Sequence, residues 1–152
     1  AGARLVLIGD GPERATLRAL TEARGLLNCV TFLGHRKDPL PFVAAADVFV
    51  QPSLSEGMSN ALLEAMSLGR CIVATRVGGA PDLLEDGVQA LLPPPSVPGL
   101  SAALHRALGD HDLRARLGAA ARKRAQDFSV EKIAAELDAI LKRTLEARPK
   151  GP

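Results

Sequence analysis

The stretch that decides the fold is Arg4-Leu5-Val6-Leu7-Ile8, followed directly by Gly9-Asp10-Gly11-Pro12. An unbroken apolar run of this length is typical of a strand that is buried on both faces, as in parallel sheets. The glycines end the strand, and Pro12 suits the first turn of a helix. We therefore predict a strand at residues 4–8 and a helix over residues 15–24.

The same alternation of short apolar runs and helical segments continues to residue 92. Further strands are predicted at residues 29–33, 47–50, 71–74 and 89–92, the last weaker than the others. Helical segments are predicted at residues 39–46 and 58–68, with one helical turn at 82–85. Strands that alternate with helices form right-handed βαβ units, so the predicted fold class is α/β with a parallel sheet flanked by helices.

The pattern changes after Pro93-Pro94-Pro95, which interrupts the chain. Residues 97–146 are predicted to be helical in three segments, and the last begins at Ser129, a favourable N-cap. Residues 148–152 are expected to be frayed. No internal repeat is visible, and residues 1–152 are predicted to form a single, partial domain.

Composition excludes several classes of protein. The 152 residues are 47% hydrophobic and 24% charged, unlike a disordered tail, a collagen-like repeat or a coiled coil. No apolar run approaches the roughly 18 residues of a membrane span. A net charge of +2 and the absence of Trp and Tyr argue against nucleic acid. Cys29 and Cys71 have no metal-ligand spacing, and no signal segment is visible, so a cytoplasmic location is expected.

The glycine-rich loop after the first strand is a candidate ligand site, because ligands of open parallel sheets bind beyond the carboxyl ends of the strands. Arg14 stands where a dinucleotide-binding fingerprint needs its third glycine, and Pro12 lacks a backbone N–H. A nicotinamide or flavin cofactor is therefore disfavoured. Gly9 and Gly11 form either a tight strand-to-helix turn or a turn that also approaches a ligand.

Two carboxylates, Glu56 and Glu64, flank the start of the helix predicted over residues 58–68. A helix N-terminus offers free N–H groups and the positive end of a dipole, which suits a diphosphate. Met58 to Glu64 spans about 9 Å at roughly 1.5 Å per residue, similar to the separation of the two ends of a nucleotide-sugar diphosphate. The alternative is an acidic helix start at Glu56 and a solvated Glu64, which the spacing alone would favour.

The motif Glu56-x7-Glu64, with Gly57 and the following Ala65-Met66, resembles the signature of retaining GT-B glycosyltransferases of the family 4 type, the glycosyl transferases group 1. That family includes sucrose synthases and bacterial cell-wall and capsule mannosyl- and glucosyltransferases. Residues 5–12, 30–34, 46–48, 77–82 and 128–129 are also similar to it. The resemblance runs from residue 4 to about residue 146. It implies a Rossmann-like domain that forms the C-terminal half of a GT-B fold and binds the nucleotide-sugar donor.

The resemblance also implies roles for individual residues. Glu56 would be the catalytic residue, contacting hydroxyls of the donor sugar and orienting its anomeric carbon, and Glu64 would bind the ribose. Residues implied to hold the diphosphate through their backbone amides are Gly57, Met58, Ser59, Asn60 and Ala61. Residues implied to flank the base are Leu33, Gly34, His35 and Arg36, while Gly9 and Gly11 would approach the donor.

The family's mechanism implies no metal, no cofactor besides the donor nucleotide-diphosphate sugar, and no separate enzyme base. The turn at residues 78–81 either shapes the site or contacts the donor.

The resemblance further implies that this chain is less than a complete enzyme. The family's donor domain begins one strand and one helix earlier, and an N-terminal acceptor domain closes the cleft and excludes water. We expect the isolated chain to be inactive or nearly so. A missing first strand would expose strand edges. Strand 4–8 is therefore predicted either to pair with strand 47–50 or to gain a partner from another chain in a strand-exchanged homodimer.

Some alternatives stay open from sequence. A non-catalytic nucleotide-binding or interaction module of Rossmann-like fold would carry the same motifs, whereas an epimerase would need an acidic and His constellation that is not found. Arg122-Lys123-Arg124 reads as a solvated helix face, with attraction to a membrane surface as the less supported alternative. The donor sugar (UDP-, GDP- or ADP-linked), the acceptor and the pathway are not identified.

Overall fold

The computed structural model describes residues 2–146, so the predicted frayed tail at residues 148–152 lies outside the described residues. The chain forms two compact units, one up to Ala45 and the other from Ala46 onward. The assignment of residues 1–152 to a single, partial domain stays a prediction.

The first unit contains β1 (Leu5–Ile8), α1 (Arg14–Ala23), β2 (Val30–Gly34) and α2 (Leu40–Ala45). The strands pair in parallel, from Leu5 opposite Val30 to Ile8 opposite Gly34. Parallel pairing requires a crossover connection, which α1 supplies, since a tight hairpin turn joins only antiparallel strands.

The expectation that the first strand is buried on both faces is wrong for this unit. Leu5 and Val6 of β1 keep 46% and 47% of their surface exposed. The physical reason is that β1 has one strand neighbour, β2, in a two-stranded sheet. An apolar run predicts a strand, but burial on both faces also needs covering layers on each side.

The second unit holds the larger set of elements. They are β3 (Val48–Gln51), α3 (Asn60–Ser67), β4 (Cys71–Ala74), α4 (Ala80–Leu83), α5 (Val97–Gly109), α6 (His111–Ala125) and α7 (Val130–Glu146), with a 3₁₀ turn at Gln126–Phe128 before α7. β3 and β4 pair in parallel, with Val48 opposite Cys71 and Gln51 opposite Ala74. The carboxyl ends of the two strands therefore lie side by side.

The predicted fifth strand at residues 89–92 is wrong in extent. Leu91 forms a single parallel bridge to Val73. Leu92 directs its N–H to the other side, where it donates to the Asp86 carboxylate at 2.8 Å. The next residue in register toward β4 is Pro93, which has no N–H to donate, although its carbonyl accepts from the Arg76 N–H at 2.8 Å. A tight turn, in which the Gly87 N–H donates to the Ala90 carbonyl, precedes the bridge. Within residues 89–92, Leu91 alone forms a bridge to β4.

The two sheets have two strands each, β1 with β2 and β3 with β4. The predicted pairing of strand 4–8 with strand 47–50 would join the two units and stays a prediction. Partnering by a strand of another chain stays a prediction.

The core of the second unit lies between β4 and the helices α5 and α6. All four residues of β4 are buried. Cys71 and Val73 pack with Ala107 of α5 and Leu117 of α6. Burial raises the pKa of the Cys71 thiol, against a smaller lowering by the nearby Arg114 guanidinium, so this cysteine is a core residue in its protonated form.

Helix α6 also fixes the turn that leads out of α3. A Cβ atom added to Gly118 would overlap the carbonyl oxygen of Gly69, so the two backbones are in direct contact. Arg122 lies against the same glycine, with its Cδ 3.5 Å from the position that a Cβ of Gly69 would take. The C-terminal end of α3 is thereby anchored to the helical layer.

Helix α7 begins after Ser129, whose Oγ accepts a hydrogen bond from the Lys132 N–H at 3.3 Å, as the predicted N-cap requires. Its apolar side chains recur every three or four residues and are about half exposed; they include Ile133, Leu137 and Ile140. Over residues 2–146, no helix is long and apolar enough to cross a bilayer.

Within the predicted solvated face, Arg122 and Lys123 are exposed, whereas Arg124 is half-buried and has partners within the unit. Arg122 lies against Gly69, and Arg124 pairs with Asp127 at 3.1 Å and lies over the Phe128 ring. Attraction of this face to a membrane surface stays a prediction.

Candidate functional site

The site is built on the carboxyl ends of β3 and β4. Gln51, the last residue of β3, places a half-buried amide where the strand ends. The loop that follows is held by buried Thr75, the first residue after β4. The Thr75 N–H donates to the Gln51 carbonyl at 3.0 Å, and its hydroxyl donates to the Ser53 carbonyl. Both strand ends therefore form one rigid edge.

Glu56 lies half-buried above this edge. Its Oε2 accepts hydrogen bonds from Gln51 Nε2 at 2.9 Å and from Ser53 Oγ at 3.2 Å. Within residues 2–146, no cation pairs with this carboxylate and no group donates to its Oε1. One oxygen is thus anchored, while the other is available to accept from a ligand hydroxyl.

Helix α3 begins at Asn60, two residues later than the predicted start at Met58. The reason is the cap: Ser59 has an extended backbone, and its Oγ accepts from the Leu62 N–H at 3.4 Å. The axial distance from Asn60 to Glu64 is therefore only about 6 Å at roughly 1.5 Å per residue, shorter than the sequence-based distance from Met58.

The N-terminus of α3 presents unused donors. No acceptor among residues 2–146 takes the amide protons of Asn60 or Ala61, and both residues are exposed. Free N–H groups at the positive end of a helix dipole attract anions, phosphates in particular. Met58 is exposed beside them, whereas Ser59 is buried in its capping role. The amides predicted to hold a diphosphate are thus partly free to do so.

Glu64 lies one turn along α3, four residues after Asn60 and hence on the same face of the helix. Helical side chains lean toward the N-terminus, which brings this half-buried carboxylate toward the free amides. Within the described part of the chain, no basic side chain pairs with it. Its ribose-binding role stays a prediction.

The glycine turn after β4 sets the backbone of the Glu56 loop. The Gly79 N–H donates to the Gly57 carbonyl at 3.2 Å. Gly78 has a φ of +53°, and a Cβ atom there would overlap the Glu56 carbonyl oxygen. This turn therefore shapes the site by close backbone approach, and its contact with the donor stays a prediction.

In the first unit, the glycine amides of the loop after β1 are bonded within the protein. Gly9 has a φ of +122°, and its N–H donates to the Gly34 carbonyl at 2.9 Å. The Gly11 N–H donates to Asp10 Oδ1 at 2.9 Å. Both amides are already satisfied, so the loop is a tight turn whose glycine N–H groups are not open to a phosphate. Approach of Gly9 and Gly11 to the donor stays a prediction.

The residues predicted to flank the base follow or end β2. Leu33 is half-buried and Gly34 is buried with a φ of +68°, while His35 and Arg36 are exposed. The positive φ explains why glycine stands at position 34, because other side chains are strained there. The role of Leu33, Gly34, His35 and Arg36 toward a base stays a prediction.

Sequence reasoning missed Gln51, Ser53 and Thr75 as parts of the site. The available signal was the position of Gln51, a polar residue that ends an apolar strand. Such a side chain at the carboxyl end of a parallel strand is in the usual place for ligand contact.

The chain is similar to known proteins in sequence and in fold. The model of the family described as glycosyl transferases group 1 matches residues 1–110. This chain belongs to that family. Among its relatives, the lipopolysaccharide core biosynthesis glycosyltransferase LpsE of Rhizobium meliloti is 37% identical over 76% of this chain and 34% of its own length. The N-acetyl-alpha-D-glucosaminyl L-malate synthase of Bacillus anthracis is 31% identical over 91% of this chain and 37% of its own.

A solved structure gives the same fold. Anabaena HepE, crystallised with UDP, superimposes with a TM-score of 0.83 and 30% identity over 93% of this chain and 41% of its own. HepE has also been crystallised with UDP-glucose. The predicted family and the predicted fold class, the α/β C-terminal half of a GT-B fold, are therefore confirmed. The chain spans between 34% and 41% of the length of these three proteins.

Proposed function

We propose that this chain binds the nucleotide-diphosphate sugar donor of a retaining, metal-independent glycosyltransferase. The observation that carries the proposal is the pairing of an anchored carboxylate, Glu56, with the free amides of Asn60 and Ala61 on one rigid edge. The membership of the chain in a glycosyltransferase family supports it.

The proposed binding mode divides the donor into three parts. The diphosphate lies on the amides at the start of α3, where the helix dipole offsets its charge. Glu56 Oε1 accepts a hydrogen bond from a sugar hydroxyl, which fixes the anomeric carbon relative to the leaving diphosphate. Glu64 accepts from the ribose hydroxyls. Each role uses an acceptor or donor that the protein itself leaves unused.

Transfer requires more than this chain supplies. In a retaining transfer the bond between the anomeric carbon and the diphosphate oxygen breaks, and the acceptor hydroxyl attacks from the same face, passing its proton to the leaving group. The matched part makes up 34% and 37% of the two relatives, so most of each relative lies outside it. We propose that the remainder of such an enzyme holds the acceptor and excludes water. The isolated chain then binds donor and transfers nothing, or nearly nothing.

The nucleotide is proposed to be UDP first, with GDP and ADP as the further donors to test. The support is that HepE, a relative of 30% identity, has been crystallised with UDP and with UDP-glucose. A cytoplasmic location, where nucleotide sugars of this kind would have to be available to the chain, is part of the same proposal.

Glu64→Ala tests the ribose assignment. Removing a carboxylate that accepts from ligand hydroxyls should weaken nucleotide affinity roughly 10- to 100-fold, since hydrogen bonds to a charged group contribute about 1.5–3 kcal/mol. Isothermal titration calorimetry with UDP, GDP and ADP measures the effect. Glu136→Ala, on the exposed face of α7, is the matched control and should bind as the wild type does. Unchanged UDP affinity in Glu64→Ala, when the wild type binds UDP, would show that Glu64 does not meet the ribose.

A further inference from the structure

We propose that Gln51 is a positioning residue for donor-sugar recognition, acting through Glu56. The inference rests on the proposed function and adds a residue outside the Glu56-x7-Glu64 motif. The side chain of Gln51 lies between two site elements, with its Nε2 2.9 Å from Glu56 Oε2 and its Oε1 2.9 Å from Ser59 Oγ. It therefore joins the loop carboxylate to the cap of α3.

The donor and the acceptor of the hydrogen bonds that link Ser59, Gln51 and Glu56 follow from the chemistry of their groups. A carboxylate oxygen accepts, so the Gln51 NH₂ group is directed to Glu56 Oε2, and Gln51 Oε1 accepts the proton of Ser59 Oγ, which itself accepts from the Leu62 N–H. An amide oxygen that accepts there must turn its NH₂ group toward Glu56. That NH₂ group can only donate, which requires Glu56 Oε2 to be an acceptor. A reversed amide would place its oxygen against the carboxylate and lose the bond to Glu56.

The backbone of Gln51 is as well held as its side chain. Gln51 lies opposite Ala74 in the parallel β3–β4 pair, and its carbonyl accepts from the Thr75 N–H at 3.0 Å. The side chain thus projects from a rigid strand end rather than from a flexible loop. Groups placed in this way orient a binding residue more accurately than groups on a loop do.

The consequence concerns the two oxygens of Glu56. Gln51 Nε2 and Ser53 Oγ both donate to Oε2, and this leaves Oε1 without a donor in the described chain. A carboxylate held through one oxygen can rotate little, so Oε1 is presented in one direction. Hydrogen bonds in a chain also polarise one another, which strengthens the link from the cap of α3 to Glu56. Gln51 therefore sets which oxygen meets the sugar.

The test compares nucleotide sugar with nucleotide. Gln51→Met keeps the length and volume of the side chain and removes its hydrogen bonds to Glu56 and Ser59, together with the longer one to Ser53 Oγ at 3.5 Å. We expect a roughly tenfold loss of affinity for UDP-glucose, as for one lost positioning hydrogen bond, while UDP affinity changes less than about twofold. Gln89→Met is the matched control, because Gln89 Oε1 accepts from the Glu85 N–H away from this site. Equal losses for UDP and UDP-glucose would overturn the proposal, since a merely structural role would affect both.

A second variant separates the two bonds of Gln51. Gln51→Glu keeps an acceptor for Ser59 Oγ but places a second carboxylate beside Glu56. We expect it to lose at least as much UDP-glucose affinity as Gln51→Met, with UDP binding retained. In the Glu56→Ala background, Gln51→Met should have no further effect, because interacting residues are not additive. A full additional tenfold loss in that background would overturn action through Glu56.

A ligand-independent measurement keeps the inference distinct from the proposed function. In ¹⁵N NMR spectra, Glu56→Ala should shift the side-chain amide signals of Gln51 and leave those of Gln89 in place. Unmoved Gln51 signals would overturn the inference even if UDP-glucose binds. If the Gln51 signals shift but the wild-type chain binds none of UDP-, GDP- and ADP-linked sugars, the positioning link is upheld and the proposed donor function fails.

Discussion

Gly78→Ala is expected to give the largest loss of stability and donor binding among single substitutions near the site. The new methyl group would overlap the Glu56 carbonyl oxygen, and Gly78 has a φ of +53°, where side chains are strained. Relief requires the Glu56 loop to move away from the glycine turn. We expect the free energy of unfolding to fall by roughly 2–5 kcal/mol, combining backbone strain and overpacking. Chemical denaturation monitored by circular dichroism measures it.

Gly87→Ala is the control that separates the two causes. Gly87 also has a positive φ, +76°, but nothing lies within 4 Å of a Cβ added there. Backbone strain is then the only cost, so the free energy of unfolding should fall by about 1–2 kcal/mol. UDP-glucose affinity should be unchanged. If Gly78→Ala costs no more than Gly87→Ala and still binds UDP-glucose, the close approach of the turn to Glu56 does not shape the site.

Glu56→Gln is expected to give the second large effect, on binding rather than on stability. The glutamine side chain has nearly the same shape as glutamate but carries no charge. A nitrogen replaces one of the two carboxylate oxygens, and this nitrogen donates and cannot accept from Gln51, Ser53 or a sugar hydroxyl. Hydrogen bonds to a charged group contribute about 1.5–3 kcal/mol, so UDP-glucose affinity should fall roughly 10- to 100-fold. UDP affinity should stay close to that of the wild type, because Glu56 is proposed to meet only the sugar.

Calorimetric titrations of UDP-glucose and UDP against this variant and against Glu136→Gln provide the comparison. Glu136 lies on α7, so its variant should bind both ligands as the wild type does. Wild-type affinity for UDP-glucose in Glu56→Gln would remove Glu56 from donor-sugar recognition. A parallel loss of UDP affinity would instead place Glu56 near the diphosphate.

The alternation of elements was predictable because it depends on local chemistry. The strand at residues 71–74 was predicted with its observed bounds, since four apolar residues stand between Gly69-Arg70 and a polar loop. Ser129 was predictable as an N-cap, because its side chain bonds an amide three residues away. Such features need no knowledge of distant parts of the chain.

Other features depend on contacts that the sequence does not display. Residues 89–92 have a strand-like composition, yet a turn closed by the Gly87 N–H on the Ala90 carbonyl takes up the start of the segment, and only Leu91 bridges to β4. The exposure of β1 depends on how many strands flank it rather than on its own residues.

The candidate site shows the same division. Glu56 and Glu64 were identified because, together with Gly57 and Ala65-Met66, they match a family signature, whereas their spacing alone favours two solvated carboxylates. Gln51 and Thr75 were missed, because their importance arises only when β3 and β4 lie side by side. The start of α3 was placed two residues early because Ser59, inside the predicted helix, acts as its cap.

The most direct test of the central claim is an NMR titration of the ¹⁵N-labelled chain with UDP-glucose, GDP-glucose and ADP-glucose in the presence of EDTA. The donor-binding account predicts that one of these ligands shifts the backbone amides of Asn60 and Ala61 more than any others in the second unit, with smaller shifts in the Gly57–Ser59 segment. Saturating shifts elsewhere with those two amides unmoved, or no shift with any of the three ligands, would contradict it.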